Sequence, residues 1–300
     1  MRRKGIGLAA MAALLLVCSS LPAASVDGLI EKLPEDTVAI AVVRIHELQS
    51  SPVYRDFEEK FAFGHGLGLD EFIGMTGVDP EHHIESFVIG VRARDAKRKR
   101  RAVGLVRGSF DPERIRAALD EAGKERSAGP GGKTFYSVHE PSDGVLTIVD
   151  PSLLVFGERS SVAALLEEDG GASRLSADSG LLQAFEAAGT DGQVWGSVSL
   201  DDMLPLDGVN NRELTPPLAA VRAMRWASFE IDFGEQLSLR LEGVAESVEE
   251  AELIEQAILG MLALAQLSAK EYPDRLALIQ AVVVERDGDL ITVELTLPMG

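Results

Sequence analysis

Short runs of apolar and β-branched residues recur along the chain, separated by turn residues and by stretches with helical spacing. The run from Val38 to Ile45 is typical of a buried strand, and the stretch that follows it, His46 to Phe61, has spacing compatible with a helix. Runs of the same kind predict strands at 84–91, 102–110, 134–138, 145–149, 153–156, 194–200, 226–233, 237–245, 278–285 and 290–297. Because neighbouring runs are joined by short turn sequences, we expect mostly antiparallel pairing.

Helix start signals separate several of these strands. Asp111 followed by Pro112 predicts a helix whose N-cap accepts a bond from a free backbone N–H. Shorter helices are predicted at 160–167 and 181–188. Ser247 predicts the start of a long helix over 248–267, with acidic residues in its first turns. The apolar part of this helix is short, so we expect a buried core helix rather than a membrane span.

The order of elements is similar in the two halves of the chain. Each half reads strand, helix, two strands, helix, two strands, which predicts an α+β fold made of two similar β-α-β-β-α-β-type halves with helices packed on one face of the sheets. We place the first half at 26–170, a connecting segment with a short helix at 171–192, and the second half at 193–300. Residue identity between the halves is poor, so two unrelated sheets merged into one domain is the alternative.

The first 25 residues have the three parts of a secretory signal peptide. Arg2, Arg3 and Lys4 precede an apolar run at 6–17, and small residues follow at 19–25. We therefore expect an exported protein, periplasmic or extracellular, with no transmembrane helix in the mature chain. Cys18 resembles the cysteine of a bacterial lipoprotein box, but Val17 stands where that box has a small residue, so simple export is favoured over lipid anchoring.

Cys18 is also the only cysteine in the chain, and it lies inside the predicted leader. A single cysteine excludes an intramolecular disulfide framework and any site with several thiolate ligands. If the leader is cleaved, the mature protein has no thiol chemistry.

Several segments resemble an uncharacterised family of secreted bacterial proteins, a domain of unknown function. The segments that carry the resemblance are LPEDTVAIAVVRIHEL from Leu33, TGVDPEHHI from Thr76, GSFDPERIRAAL from Gly108, GGKTFYSV from Gly131 and LLVFGERSSV from Leu153. These motifs are structural. The resemblance implies a bacterial source and an envelope or extracellular setting, and it carries no active-site residue and no substrate.

Charge is unevenly distributed. The formal net charge of −19 excludes a general nucleic-acid binder, whose surface must neutralise phosphates. One basic run between two predicted strands interrupts this acidic background. It predicts a solvated hairpin tip or a docking element for an anionic partner such as lipid headgroups, lipopolysaccharide or an acidic protein. Its candidate contact residues are Arg92, Arg94, Lys97, Arg98, Lys99, Arg100 and Arg101.

Candidate catalytic groups are sparse. His82 and His83 are weak candidates for metal ligands, since adjacent histidines need further ligands brought in by folding. The segment GPGGKT at 129–134 lacks the first glycine and the strand-to-helix context of a phosphate loop, so we interpret it as a turn. We expect no cofactor and favour a non-catalytic binding or envelope-maintenance module. The alternative is an exported hydrolase, with or without a metal, whose site lies between the two halves and uses His82 or His83 with acids of the other half. The oligomeric state is open.

Overall fold

A computed structural model describes residues 26–55, 78–93, 101–139, 143–167, 174–176, 178–200 and 223–298. The predicted leader at 1–25 lies outside these residues. The described helices are α1 (Val26–Ile30), α2 (Ile45–Ser50), α3 (Pro80–His83), α4 (Pro112–Glu121), α5 (Arg159–Leu166), α6 (Gly180–Ala187), α7 (Val248–Ser268) and α8 (Pro273–Gln280).

Among the described residues, twelve strands form a single antiparallel sheet. They are β1 (Thr37–Val43), β2 (Ile84–Arg92), β3 (Arg101–Gly108), β4 (Arg126–Ala128), β5 (Thr134–His139), β6 (Gly144–Asp150), β7 (Leu153–Glu158), β8 (Val194–Ser199), β9 (Met224–Phe233), β10 (Gln236–Ala245), β11 (Val282–Asp287) and β12 (Leu290–Pro298). Their order across the sheet is β11-β12-β10-β9-β8-β1-β2-β3-β7-β6-β5-β4. The predicted α+β class is confirmed.

The two halves of the chain meet at the centre of this sheet. β1 pairs with β8 in antiparallel register, with Ala41 opposite Gly196. The backbones approach closely here, because a Cβ atom added to Gly196 would lie 2.2 Å from the carbonyl oxygen of Ile40. The strands of both halves therefore belong to one continuous sheet.

Local capping signals explain why two of the helices begin where they do. The Asp111 carboxylate accepts hydrogen bonds from the backbone N–H groups of Glu113 and Arg114 at the start of α4. The Ser247 hydroxyl accepts one from the N–H of Glu250 at the start of α7. Both caps are as the sequence predicts, since short polar side chains satisfy the free donors of the first turn.

Helices cover both faces of the sheet, which corrects the expectation of helices on one face. Leu105 and Val106 are neighbours on β3 and therefore point to opposite faces. Leu105 belongs to a core with α1, α5 and α6, whereas Val106 belongs to a core with α4 through Ile115 and Leu119. A strand that reads as a continuous apolar run is buried on both sides, and β3 is such a run.

One further prediction needs correction, one strand was not predicted, and one predicted helix is only partly described. The predicted strand at 278–285 divides into the end of α8 and β11, because Pro273 starts a helix that runs to Gln280. The strand β4 was not predicted, since its three residues are too short to show a period. The predicted helix at 46–61 corresponds to α2 in its first turns, and its residues from 56 onward lie outside the described part.

Candidate functional site

One aspartate binds the strand residues on either side of the basic segment at 94–100. Asp36 lies just before β1, and its two carboxylate oxygens accept hydrogen bonds from Arg92 Nε at 2.7 Å and from Arg101 Nη2 at 3.3 Å. The backbone carbonyl of Asp36 also accepts a bond from the N–H of Ala93 at 2.7 Å. The ends of β2 and β3 are therefore fastened to the start of β1 where the basic segment leaves and re-enters the sheet.

This arrangement divides the seven predicted contact residues into two groups. The side chains of Arg92 and Arg101 are only 13% and 22% exposed, and both face the Asp36 carboxylate, so they act in the structure of the sheet. The other five lie outside the described residues: Arg94, Lys97, Arg98, Lys99 and Arg100. A surface for an anionic partner would therefore have to use the segment at 94–100.

His82 and His83 make local contacts at α3. His82 Nδ1 lies 2.7 Å from a carboxylate oxygen of Asp79, and His83 Nδ1 accepts a hydrogen bond from the backbone N–H of Asp79 at 3.0 Å. In the part of the chain that the structure describes, no group of three histidine, cysteine or acidic side chains could hold a metal ion. Nothing in this part brings His82 and His83 together with acids of the second half, as the hydrolase alternative requires.

The GPGGKT segment forms a turn between two strands. Residues Pro130–Gly132 form a short 3-10 turn between β4 and β5, and Gly131 has a positive φ of 61°. The Lys133 ammonium group donates a hydrogen bond to the carbonyl oxygen of Val149 at 2.7 Å. The lysine therefore joins this turn to β6, which agrees with its interpretation as a turn.

The outer face of α7 is a surface that the sequence pattern does not predict. We expected a buried core helix, but Ala251 and Ile254 are its only buried residues, and 11% of its most apolar 18-residue window is buried. Leu253, Leu264 and Leu267 are 65%, 66% and 69% exposed. The expectation of a buried helix was therefore wrong, because the acidic first turns and apolar later turns do not reveal which side the sheet covers.

The exposed leucines of α7 form a continuous uncharged surface. At about 100° per residue, Leu253, Leu264 and Leu267 lie within about 60° of one another around the helix axis. From Gln256 to Ser268 the helix has no charged residue over a length of about 20 Å. By length and composition alone α7 could also cross a membrane, and it is the only helix among the described residues of which this is true.

The helices α7 and α4 cover different parts of the sheet, and their outer faces differ. Ile254 and Ala251 pack with Ile291 of β12, and Val284 of β11 lies against the same cluster, so α7 covers the outermost strands of the sheet. The helix α4 covers the other half and exposes charged side chains such as Arg114 and Arg116. A surface helix ordinarily has a polar outer face, as α4 does. The apolar outer face of α7 is therefore not required for packing on the sheet.

The opposite face of the same strands is polar. Arg240 donates two hydrogen bonds to one carboxylate oxygen of Glu242, at 2.9 and 2.6 Å, and lies 3.7 Å from Glu294 on β12. These bonds raise the pKa of Arg240 above its ordinary value, since they stabilise the charged guanidinium. The ion pair satisfies Glu242, which is only 8% exposed, and it serves the structure of the sheet.

Comparisons with known proteins give no family for the chain. No family model matches it, and no curated protein matches it. Among solved structures, crystal form I of the Treponema protein TP0453 is similar over 90% of this chain and 92% of that chain, with 9% sequence identity and a TM-score of 0.49. These values do not support a transfer of function.

Proposed function

We propose that this chain is an exported bacterial envelope or extracellular protein that works by binding, without catalysis, and that the basic segment at 94–100 is its contact with an anionic partner. The observation that carries this proposal is the attachment of that segment. Asp36 neutralises part of the charge of Arg92 and Arg101 and fixes both ends of the segment on the sheet. The segment itself has five basic residues and one acid, in a chain of net charge −19. Such segregation of charge attracts an anionic partner over long range.

Two features of the sequence favour a location outside the cytoplasm for this protein. The signal-peptide pattern at 1–25 and the family of secreted bacterial proteins both favour a periplasmic or extracellular protein. In that setting lipid headgroups, lipopolysaccharide and acidic proteins are the available anionic partners, and nuclear or ribosomal nucleic acid is not.

We also propose that the two halves arose by duplication. Strand order supports this, because the strands outward from the central β1–β8 pair correspond as β1-β2-β3-β7-β6 and β8-β9-β10-β12-β11. In each half the third strand leads into a helix, and a hairpin returns so that its last strand pairs with the third. An approximate two-fold axis between β1 and β8 would relate the halves.

Neutralising the segment is expected to weaken binding to vesicles of phosphatidylglycerol. Each basic side chain near an anionic surface contributes up to about 1 kcal/mol, and we count half of the four side chains as reaching the surface at once. We expect Lys97, Arg98, Lys99 and Arg100 changed together to Ser to weaken binding by about 2 kcal/mol, roughly thirtyfold, with a smaller dependence on salt. Vesicle sedimentation at several salt concentrations measures both quantities.

A matched control removes the same charge elsewhere. Lys32, Arg114, Arg116 and Lys124 changed to Ser also remove four positive charges, and they lie on other parts of the first half. This control should retain most of the binding. Equal losses in the two variants would mean that net charge alone matters, and an unchanged first variant would contradict a contact at this segment.

A further inference from the structure

The sheet has two edges, and they differ in how well they are protected. At one edge β4 is only three residues long and carries Arg126, and a short, charged edge strand resists pairing with another chain. At the other edge β11 is six residues long and begins Val282, Val283, Val284. Within the described residues β11 has one strand partner, β12. Val283 is 49% exposed, so the first half of this edge strand is apolar, whereas Glu285, Arg286 and Asp287 make its second half charged.

The open edge and the apolar outer face of α7 lie at the same end of the molecule. Because α7 packs on β11 and β12, a surface that pairs with β11 also approaches the side of α7. The internal packing of the described residues explains neither feature. One partner that supplies both a strand edge and an apolar helix would cover them together.

We propose that this partner is a second copy of the chain, joined edge to edge through β11 with the two α7 helices side by side. A two-fold axis perpendicular to the sheet makes the two β11 strands antiparallel and continues the sheet into the second copy. This interface goes beyond the proposed function. It lies away from the basic segment at 94–100, since five strands separate β11 from β2 in the sheet.

Charge selects the register of the two strands. A two-fold axis at Val283 places Val283 opposite its own copy and Val282 opposite Val284, so the centre of the pairing is apolar. An axis at Glu285 would place two glutamates directly opposite each other, and like charges in that position destabilise a strand pair. The valine register is therefore the one the sequence of β11 favours.

The helices fit the same arrangement. Strands in a sheet are about 4.8 Å apart, so helices centred between β11 and β12 in each copy would lie two spacings apart, about 10 Å, which is within the range of packed helices. The two-fold axis makes the helices antiparallel. The acidic first turns of one copy, with Glu249 and Glu252, then lie toward the end of the other copy, where Lys270 is exposed beside Glu271.

The molar mass of the processed protein in solution tests this proposal. Light scattering across a wide range of protein concentration should give twice the mass of one chain. Leu253→Glu with Leu264→Glu should halve that mass, because four carboxylates would enter an apolar interface. Val283→Lys should do the same, since it places two ammonium groups opposite each other at the strand edge.

Leu241→Glu is the control, because Leu241 is 41% exposed on β10, two strands in from the edge, and should leave the dimer intact. Circular dichroism verifies that each variant is folded. A wild-type protein that stays monomeric overturns the proposal, as does a dimer that survives both edge and helix variants. A monomer that floats with phosphatidylcholine vesicles and loses this binding in the leucine variant would show that lipid covers the face of α7, which also overturns it.

Discussion

Trp195→Ala is expected to lower the free energy of unfolding by about 4 kcal/mol, the largest effect that we expect of any single side-chain truncation in this protein. Trp195 is 1% exposed at the start of β8. Its ring lies 6.2 Å from that of Phe185 on α6, and the guanidinium of Arg44 lies 4.7 Å from the centroid of the Trp195 ring. Truncation leaves a large cavity between the sheet and α6. Urea denaturation followed by circular dichroism measures the change.

Trp195→Phe is the matched control. Trp195 Nε1 has no hydrogen-bond partner in the described part of the protein, so phenylalanine removes no bond and retains most of the packing. We expect a loss of about 1 kcal/mol. A loss for the phenylalanine variant as large as for the alanine variant would contradict the assignment of this stability to packing of the aromatic ring.

Gly196→Val is expected to lower the free energy of unfolding by about 3 kcal/mol, at the upper end of the range for overpacked positions. The added Cβ would lie 2.2 Å from the backbone oxygen of Ile40 and 2.9 Å from the ring of Phe229. The first contact is to backbone, so it is relieved only by moving β1 away from β8. Because this pair joins the halves of the chain, we also expect unfolding to become less cooperative.

Val198→Ile is the control for the glycine variant. Val198 lies two residues along β8 on the same face as Gly196, and it is partly exposed, so one more methylene group can be accommodated. Its free energy of unfolding should change by less than about 1 kcal/mol. A wild-type stability and a single sharp transition in Gly196→Val would show that the β1–β8 contact does not join the halves as closely as the geometry implies.

Most of the elements were predictable from the sequence because their signals are local. The alternation in β12, the Asp111 and Ser247 caps and the hairpin turn at Gly288, with φ of 62°, depend on neighbouring residues. The predicted strands around the basic segment are the observed β2 and β3. The boundary errors lie where two elements follow without a break, as α8 and β11 do.

The arrangement of the elements was not predictable in this way. The β1–β8 pairing joins residues about 150 positions apart, and no local pattern reports which strands become neighbours. The role of Asp36 was missed for the same reason, since it acts on Arg92 and Arg101 across the sheet. The exposed face of α7 depends on which side the sheet covers. The later turns of α7, from Gln256 to Ser268, have no charged residue and so show no such side in the sequence.

The most direct test of a contact surface at the β11 end is a cross-linking experiment with single cysteines in residues 26–300, which contain no native cysteine. Val283→Cys introduces a thiol at the β11 edge, and Ala128→Cys introduces one on the exposed β4 edge. A short bismaleimide should convert the Val283→Cys protein to covalent dimer and leave the Ala128→Cys protein monomeric. Cross-linking through Ala128→Cys alone, or through neither position, would contradict the account.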